Sequence, residues 1–235
     1  MPAAITSRTL APQFAEIVRE VLAASGIVPN DPTVAIDSDD PDGQSLLFWY
    51  PAVTTDRGDY IRPAVKIESG AKSALDPHED LNIAPYISDE VPRLALGATH
   101  VTTVVAERTF WDKIVILHGV RNWFENRGVL RGQGQRVSRH YYDVHRIFRS
   151  ELGGRAAWDR ALGADCVAHA KMFFNSPDLG LDRATPGTFS LRPTDQMFMD
   201  LRRDYGRMGG MIIGEPPEFE EVTASIADLE ETLNH

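Results

Sequence analysis

Between Pro12 and Ser25 the apolar residues Phe14, Ile17, Val18, Val21 and Leu22 recur at intervals of three and four, which places them on one face of a helix. Pro12 suits a first helical turn, and Gly26 with Pro29 ends the pattern. The period then shortens to that of extended chain. Stretches near 33–36, 45–50 and 59–69 are rich in β-branched and aromatic residues between turn-forming ones, and predict strands. LLFWYP and YIRPAVKIES would pair antiparallel, with TTDRGD as the hairpin connection. Pro and Asp punctuate 70–97, where HEDLNIAPYISDEV can hold short extended pieces, and THVTTVV at 99–105 predicts one more strand.

From residue 106 the pattern turns helical. Helices are expected near 107–126, 138–150, 155–174, 193–208 and 217–233. In the last, Phe219, Val222, Ile226, Leu229 and Leu233 form a seam with steps of 3, 4, 3 and 4 that suits packing against neighbouring helices or against a partner. The expected fold class is therefore α+β: an α+β lobe over 1–105 and a helical lobe over 106–235.

Composition narrows the function. With 43% apolar and 25% charged residues the chain is globular in type, not disordered. No apolar run reaches the roughly 20 residues that cross a bilayer. The N-terminus lacks the basic start and apolar core of a secretory signal. A single cysteine, Cys166, allows neither an intrachain disulfide nor a multi-cysteine metal knuckle, so a reducing, cytoplasmic setting is expected. The net charge of −10 argues against a general nucleic-acid coat protein. Yet residues 108–160 carry 11 basic and 5 acidic side chains, ten of the cations being arginine, while both flanks are acidic. That segment is either a solvated basic helical surface or a phosphate-facing one.

Two stretches carry candidate chemistry. In AERTFWDKIVILHGV, Phe110, Ile114 and Leu117 make an apolar stripe that Trp111, Val115 and His118 widen, and Lys113 lies beside it. A lysine there can run its stem over apolar neighbours and present its ammonium at a cleft edge, or it can be a boundary lysine bonded to a nearby carboxylate, Asp112 or one on another helix. In GQRVSRHYYDVHRIFR, Ser138 suits an N-cap, with Tyr141, Tyr142, His145 and Phe148 at helical spacing. Arg139 and Asp143 stand i,i+4, either as a surface pair or as an aspartate beside an anion site. His140 and His145 are five apart, not the i,i+4 spacing of a helical zinc pair, and no zinc site is expected.

ERTFWDKIVILH followed by RVSRHYYDVHRI resembles the AbiEii/AbiGii abortive-infection toxins, a family of nucleotidyltransferases in type IV toxin–antitoxin systems. VKIES, Asp204-Tyr205, Met208, Met211, PPEFEEV and the final helix also fit, so the resemblance spans roughly 60–235. It implies a partial nucleotidyltransferase-like mixed sheet followed by a helical domain. It further implies transfer of a nucleotide from an NTP, GTP in some members, to an RNA acceptor such as tRNA, a cognate antitoxin as partner, and a role in phage defence. Carried over by position, Lys113 matches the motif lysine that contacts the triphosphate, and Asp143 the aspartate of the active centre. Glu68 falls where a core-strand carboxylate is expected, and Glu68 and Asp143 would be the ligands of Mg²⁺. Lys66, Arg108, Ser138 and Arg139 would meet nucleotide phosphates.

One family unit is not found: the Gly-Gly-Thr/Ser turn and Asp-x-Asp pair, whose glycine-flanking N–H groups hold phosphates and whose acids bind divalent ions. The numbering is expected to start after it, in the helix at 12–25. Ser25-Gly26 with Asp37-Ser38-Asp39 imitates it, but Gly26 reads as a helix cap and Pro29 and Pro32 break the intervening segment. DSDDPDG does not fit a calcium loop either and reads as an acidic turn. Three functions are thus compatible with the chain: a truncated, weakly active transferase, a transferase whose acids are Asp37 and Asp39, or a non-catalytic protein binding an antitoxin or RNA through its basic helices.

Overall fold

The computed structural model describes residues 11–24, 34–40, 45–50, 62–68, 74–134 and 136–235. Its internal contacts divide the chain into two units, Met1–Ser73 and Ala74–His235. The fold class is α+β. The TTDRGD connection and the Ser25-Gly26 turn lie outside the described residues.

The first unit contains helix α1 (Ala11–Ala24) and strands β1 (Val34–Ile36), β2 (Ser45–Trp49) and β3 (Ala64–Glu68). The strands form an antiparallel sheet in the order β1-β2-β3. β2 and β3 pair as expected, with Leu46 opposite Ile67 and Ser45 opposite Glu68. Leu46 and Leu47 are buried, so the central strand carries the apolar load of this sheet.

The second unit opens with a hairpin of β4 (His78–Ile83) and β5 (Ala98–Val104), which pair antiparallel around an irregularity between Leu81 and Ile83. The expected boundary at 105/106 falls inside this unit, directly after β5. Helix α2 (Ala106–Arg127) follows, and its stripe of Phe110, Trp111, Ile114, Val115, Leu117 and His118 is buried. It stops at Gly128, whose φ of +68° favours a residue without a Cβ.

Around α2 pack α3 (Ser138–Phe148), α4 (Glu151–Ala156) and α5 (Arg160–Phe174); α6 (Asp195–Gly206) and α7 (Phe219–Asn234) complete the set. The seam of α7 is buried along its whole length and packs against α3, so it serves the core of this unit. The single helix expected at 155–174 is two. Residues 157–159 break the run, and the Asp159 carboxylate restarts it by accepting the Leu162 N–H at 3.0 Å.

Candidate active site

Lys113 projects from α2 and meets α3. Its Nζ donates to Asp143 Oδ2 at 2.7 Å and lies 3.1 Å from His140 Nδ1. His140 and Asp143 stand i,i+3 on α3, so one helical face delivers both to the same ammonium. The Lys113 side chain is 21% exposed and that of Asp143 38%, which leaves the pair at the surface and open to a ligand. Burial, then the charges of Lys113 and Arg139, push His140 down to about 3, and the ring is neutral at physiological pH.

Packing behind α3 fixes this face. Tyr141 meets the Phe219 ring edge-on, and His145 Nδ1 lies 2.9 Å from Ser225 Oγ, which together tie α3 to α7. At the start of α3 the capping group is not Ser138. Ser138 is already the first helical residue and is fully buried. The buried Asp204 carboxylate of α6 accepts from Arg136 N at 2.9 Å, Ser138 N at 2.8 Å and Ser138 Oγ at 2.6 Å. Asp204 thus satisfies N–H groups that the helix itself leaves open. The Ser138 hydroxyl, expected at a phosphate, is committed inside the protein.

Arg108 also departs from expectation. Its side chain is 2% exposed, and its guanidinium donates to Asp165 Oδ2 at 2.5 Å, the Asp76 carbonyl at 3.0 Å and Asp112 at 3.3 Å. Among the described residues its Nη2 has no partner. This buried fork clasps the start of β4 to α2 and α5 instead of facing a phosphate. Arg139 is exposed and, among the described residues, has no hydrogen-bond or ion-pair partner. The i,i+4 pair with Asp143 does not form, because Asp143 takes Lys113.

Other central arginines are spent internally. Arg127 binds Asp178, Arg149 binds Asp228, and Arg160 donates to the carbonyls of Leu233 and Thr232 near the end of α7. The basic excess of 108–160 is therefore not one continuous phosphate-facing stripe.

Glu68 and Lys66 lie on β3 in the first unit, where Lys66 Nζ stands 2.7 Å from Glu68 Oε1 and 3.5 Å from the buried Asp37 carboxylate. Arg62 pairs with both Asp37 and Asp39. Burial alone would raise the Asp37 carboxyl; the Asp39 N–H, Arg62 and Lys66 outweigh it and hold the group below its ordinary value. The acids that could bind Mg²⁺ are thus each matched by a cation of the protein. Among the described residues no three His, Cys, Asp or Glu side chains converge on one metal position. As arranged, the described side chains do not fit a magnesium ion.

A family model described as the nucleotidyl transferase AbiEii toxin of type IV toxin–antitoxin systems matches residues 6–231. The chain belongs to this family. No curated protein and no solved structure matches it. The matched span runs through both units of this nucleotidyltransferase toxin. Among the described residues, no helix is long and apolar enough to cross a membrane.

The contact of His140 with Lys113 is not among the sequence expectations; the i,i+3 spacing of His140 and Asp143 is the pattern that carries both to one ammonium.

Proposed function

We propose that this AbiEii-family protein transfers a nucleotide from a nucleoside triphosphate to an RNA acceptor, and that Lys113 and Asp143 form the phosphate-side anchor of that reaction. The observation that supports this most is the 2.7 Å contact between Lys113 Nζ and Asp143 Oδ2, made by residues thirty apart that match the two family motifs.

Phosphoryl chemistry asks the protein mainly for position and electrostatics. An acceptor hydroxyl attacks the α-phosphorus, the bond to the β-phosphate oxygen breaks, pyrophosphate leaves, and the hydroxyl proton passes to solvent. The Lys113 ammonium meets negative charge on the triphosphate as it accumulates toward the leaving group. Asp143 holds that ammonium in place before substrate arrives. An ion pair this exposed is worth at most about 1 kcal/mol to stability, so sharing Lys113 with a phosphate costs the fold little. Arg139, exposed on α3 and without an ion-pair partner among the described residues, supplies further positive charge for phosphate. The cognate partner of this toxin is an antitoxin protein, and GTP is the first nucleotide to try.

The experiment is incorporation of radiolabelled NTPs into tRNA by the purified protein, with Mg²⁺ present, beside Lys113→Met and Asp143→Asn. Transfer that both variants abolish while retaining the parental melting temperature supports the assignment. Transfer that neither variant slows would overturn it.

A further inference from the structure

Two of the three N–H donors of Lys113 are already engaged, one by Asp143 Oδ2 at 2.7 Å and one by His140 Nδ1 at 3.1 Å. The second contact has a strict chemical requirement. An imidazole nitrogen accepts from an ammonium only through a bare lone pair, so the ring must be neutral with its proton on Nε2. The surroundings favour the neutral ring: His140 is half-buried, Lys113 approaches it from α2, and Arg139 adjoins it on α3. Asp143, the carboxylate on the same helical face, is directed to Lys113.

We propose that His140 is a positioning residue of the nucleotide site: accepting through Nδ1, it fixes the Lys113 ammonium beside Asp143 and leaves one Lys113 N–H for an oxygen of the substrate triphosphate. The inference rests on the reading of Lys113 as a triphosphate contact. Its physical basis is pre-organisation. A lysine head on a four-carbon stem samples many rotamers, and a second acceptor at a fixed angle to Asp143 removes most of them before the ligand binds. A carboxylate in place of His140 would give the ammonium a second counter-charge and weaken its pull on phosphate. A neutral acceptor orients it without doing so.

The test pairs one measurement on the unaltered protein with binding by variants. Nitrogen-detected NMR should show His140 as the Nε2–H tautomer with Nδ1 unprotonated; a proton on Nδ1 overturns the proposal. Calorimetric titration with α,β-methylene GTP should show His140→Leu binding about tenfold more weakly, the usual scale for one lost charge-assisted hydrogen bond. His140→Asn, whose amide oxygen can stand near the place of Nδ1, should bind within about threefold of the parent. Equal weakening by Leu and Asn would mean a packing role and overturn the proposal. Parental binding by His140→Leu, with binding lost in Lys113→Met, overturns the positioning role alone. Parental binding by Lys113→Met overturns the triphosphate reading and the positioning role with it.

Discussion

The Asp204 carboxylate accepts both the backbone N–H and the hydroxyl of Ser138, at 2.8 and 2.6 Å, and so caps α3 from sixty-six residues away. Ser138 takes Oδ2 for both contacts, and the other oxygen, Oδ1, accepts the Arg136 N–H at 2.9 Å. Because α3 carries Arg139, His140 and Asp143, this buried acid sets where the candidate site begins. Asp204→Ala should strand several buried donors at once and cost about 3 kcal/mol of stability, at about 1–3 kcal/mol for each buried donor left unpaired. Urea denaturation measures the loss. A variant as stable as the parent would show that water or a neighbouring group replaces the cap.

Three histidines of the second unit are held below their ordinary titration range. For His118, burial acts first and Arg183 adds to it; the ring sits between the Gly180 carbonyl at 3.0 Å and the Ser190 N–H at 3.1 Å. For His145, burial again leads, with Arg149 and Arg146 contributing. His140 is the third, pushed down to about 3 by burial, Lys113 and Arg139. As pH falls through the ordinary histidine value, the unfolded chain takes up protons that the folded protein refuses. Stability present above that value is therefore lost on acidification, by up to about 1.4 kcal/mol per pH unit for each histidine. Urea midpoints should fall between about pH 7.5 and 5.5, the range in which an unfolded histidine protonates. Midpoints constant over that range would show that these rings charge inside the fold.

Arg108 is the clearest case of a side chain whose role only tertiary structure reveals. On the helical pattern it is a cation in the first turns of α2 and reads as a phosphate contact. Its burial comes from Asp165, fifty-seven residues on, and from the Asp76 carbonyl. The cap of α3 was hidden for the same reason: Ser138 has the right chemistry for an N-cap, but the acid that does the capping comes from α6. Local signals, by contrast, carried through. The seam of α7 and the stripe of α2 have a spacing that leaves one face for the core, and both are buried. Lys113 pairs with Asp143 on the next helix and not with its sequence neighbour Asp112, while the break at Ala157–Trp158–Asp159 interrupts an apolar pattern that reads as continuous.

Arg108→Lys tests the internal role directly. A lysine cannot span Asp165, Asp112 and the Asp76 carbonyl with a planar fork, so contacts are lost. Since Asp165 is largely exposed, the loss should be moderate, about 2 kcal/mol, allowing for solvent screening of that partner. Nucleotide affinity of the folded protein should be unchanged. Parental stability combined with weakened nucleotide binding would return Arg108 to the phosphate site.

Two glycines in neighbouring helices should respond to alanine with opposite signs. Alanine is favoured over glycine inside a helix by about 1 kcal/mol, which is the whole effect expected where nothing else changes. Gly154 in α4 is such a place: it is exposed, and an added Cβ would meet nothing within 4 Å. Gly163 in α5 is not, because its Cβ would fall 2.8 Å from Trp111 Cζ3 and 2.9 Å from Cε3 and Cη2. The indole cannot readily yield. It is buried, its Nε1–H donates to the Ala156 carbonyl at 2.9 Å, and the rings of Phe110 and Phe189 flank it at 6.3 and 6.0 Å. Overpacking of this kind costs about 1–3 kcal/mol, enough to outweigh the helical gain. Thermal melting should therefore rise for Gly154→Ala and fall for Gly163→Ala. A rise in both would mean that α5 can slide away from Trp111, in which case the wall behind Lys113 on α2 is softer than its contacts imply.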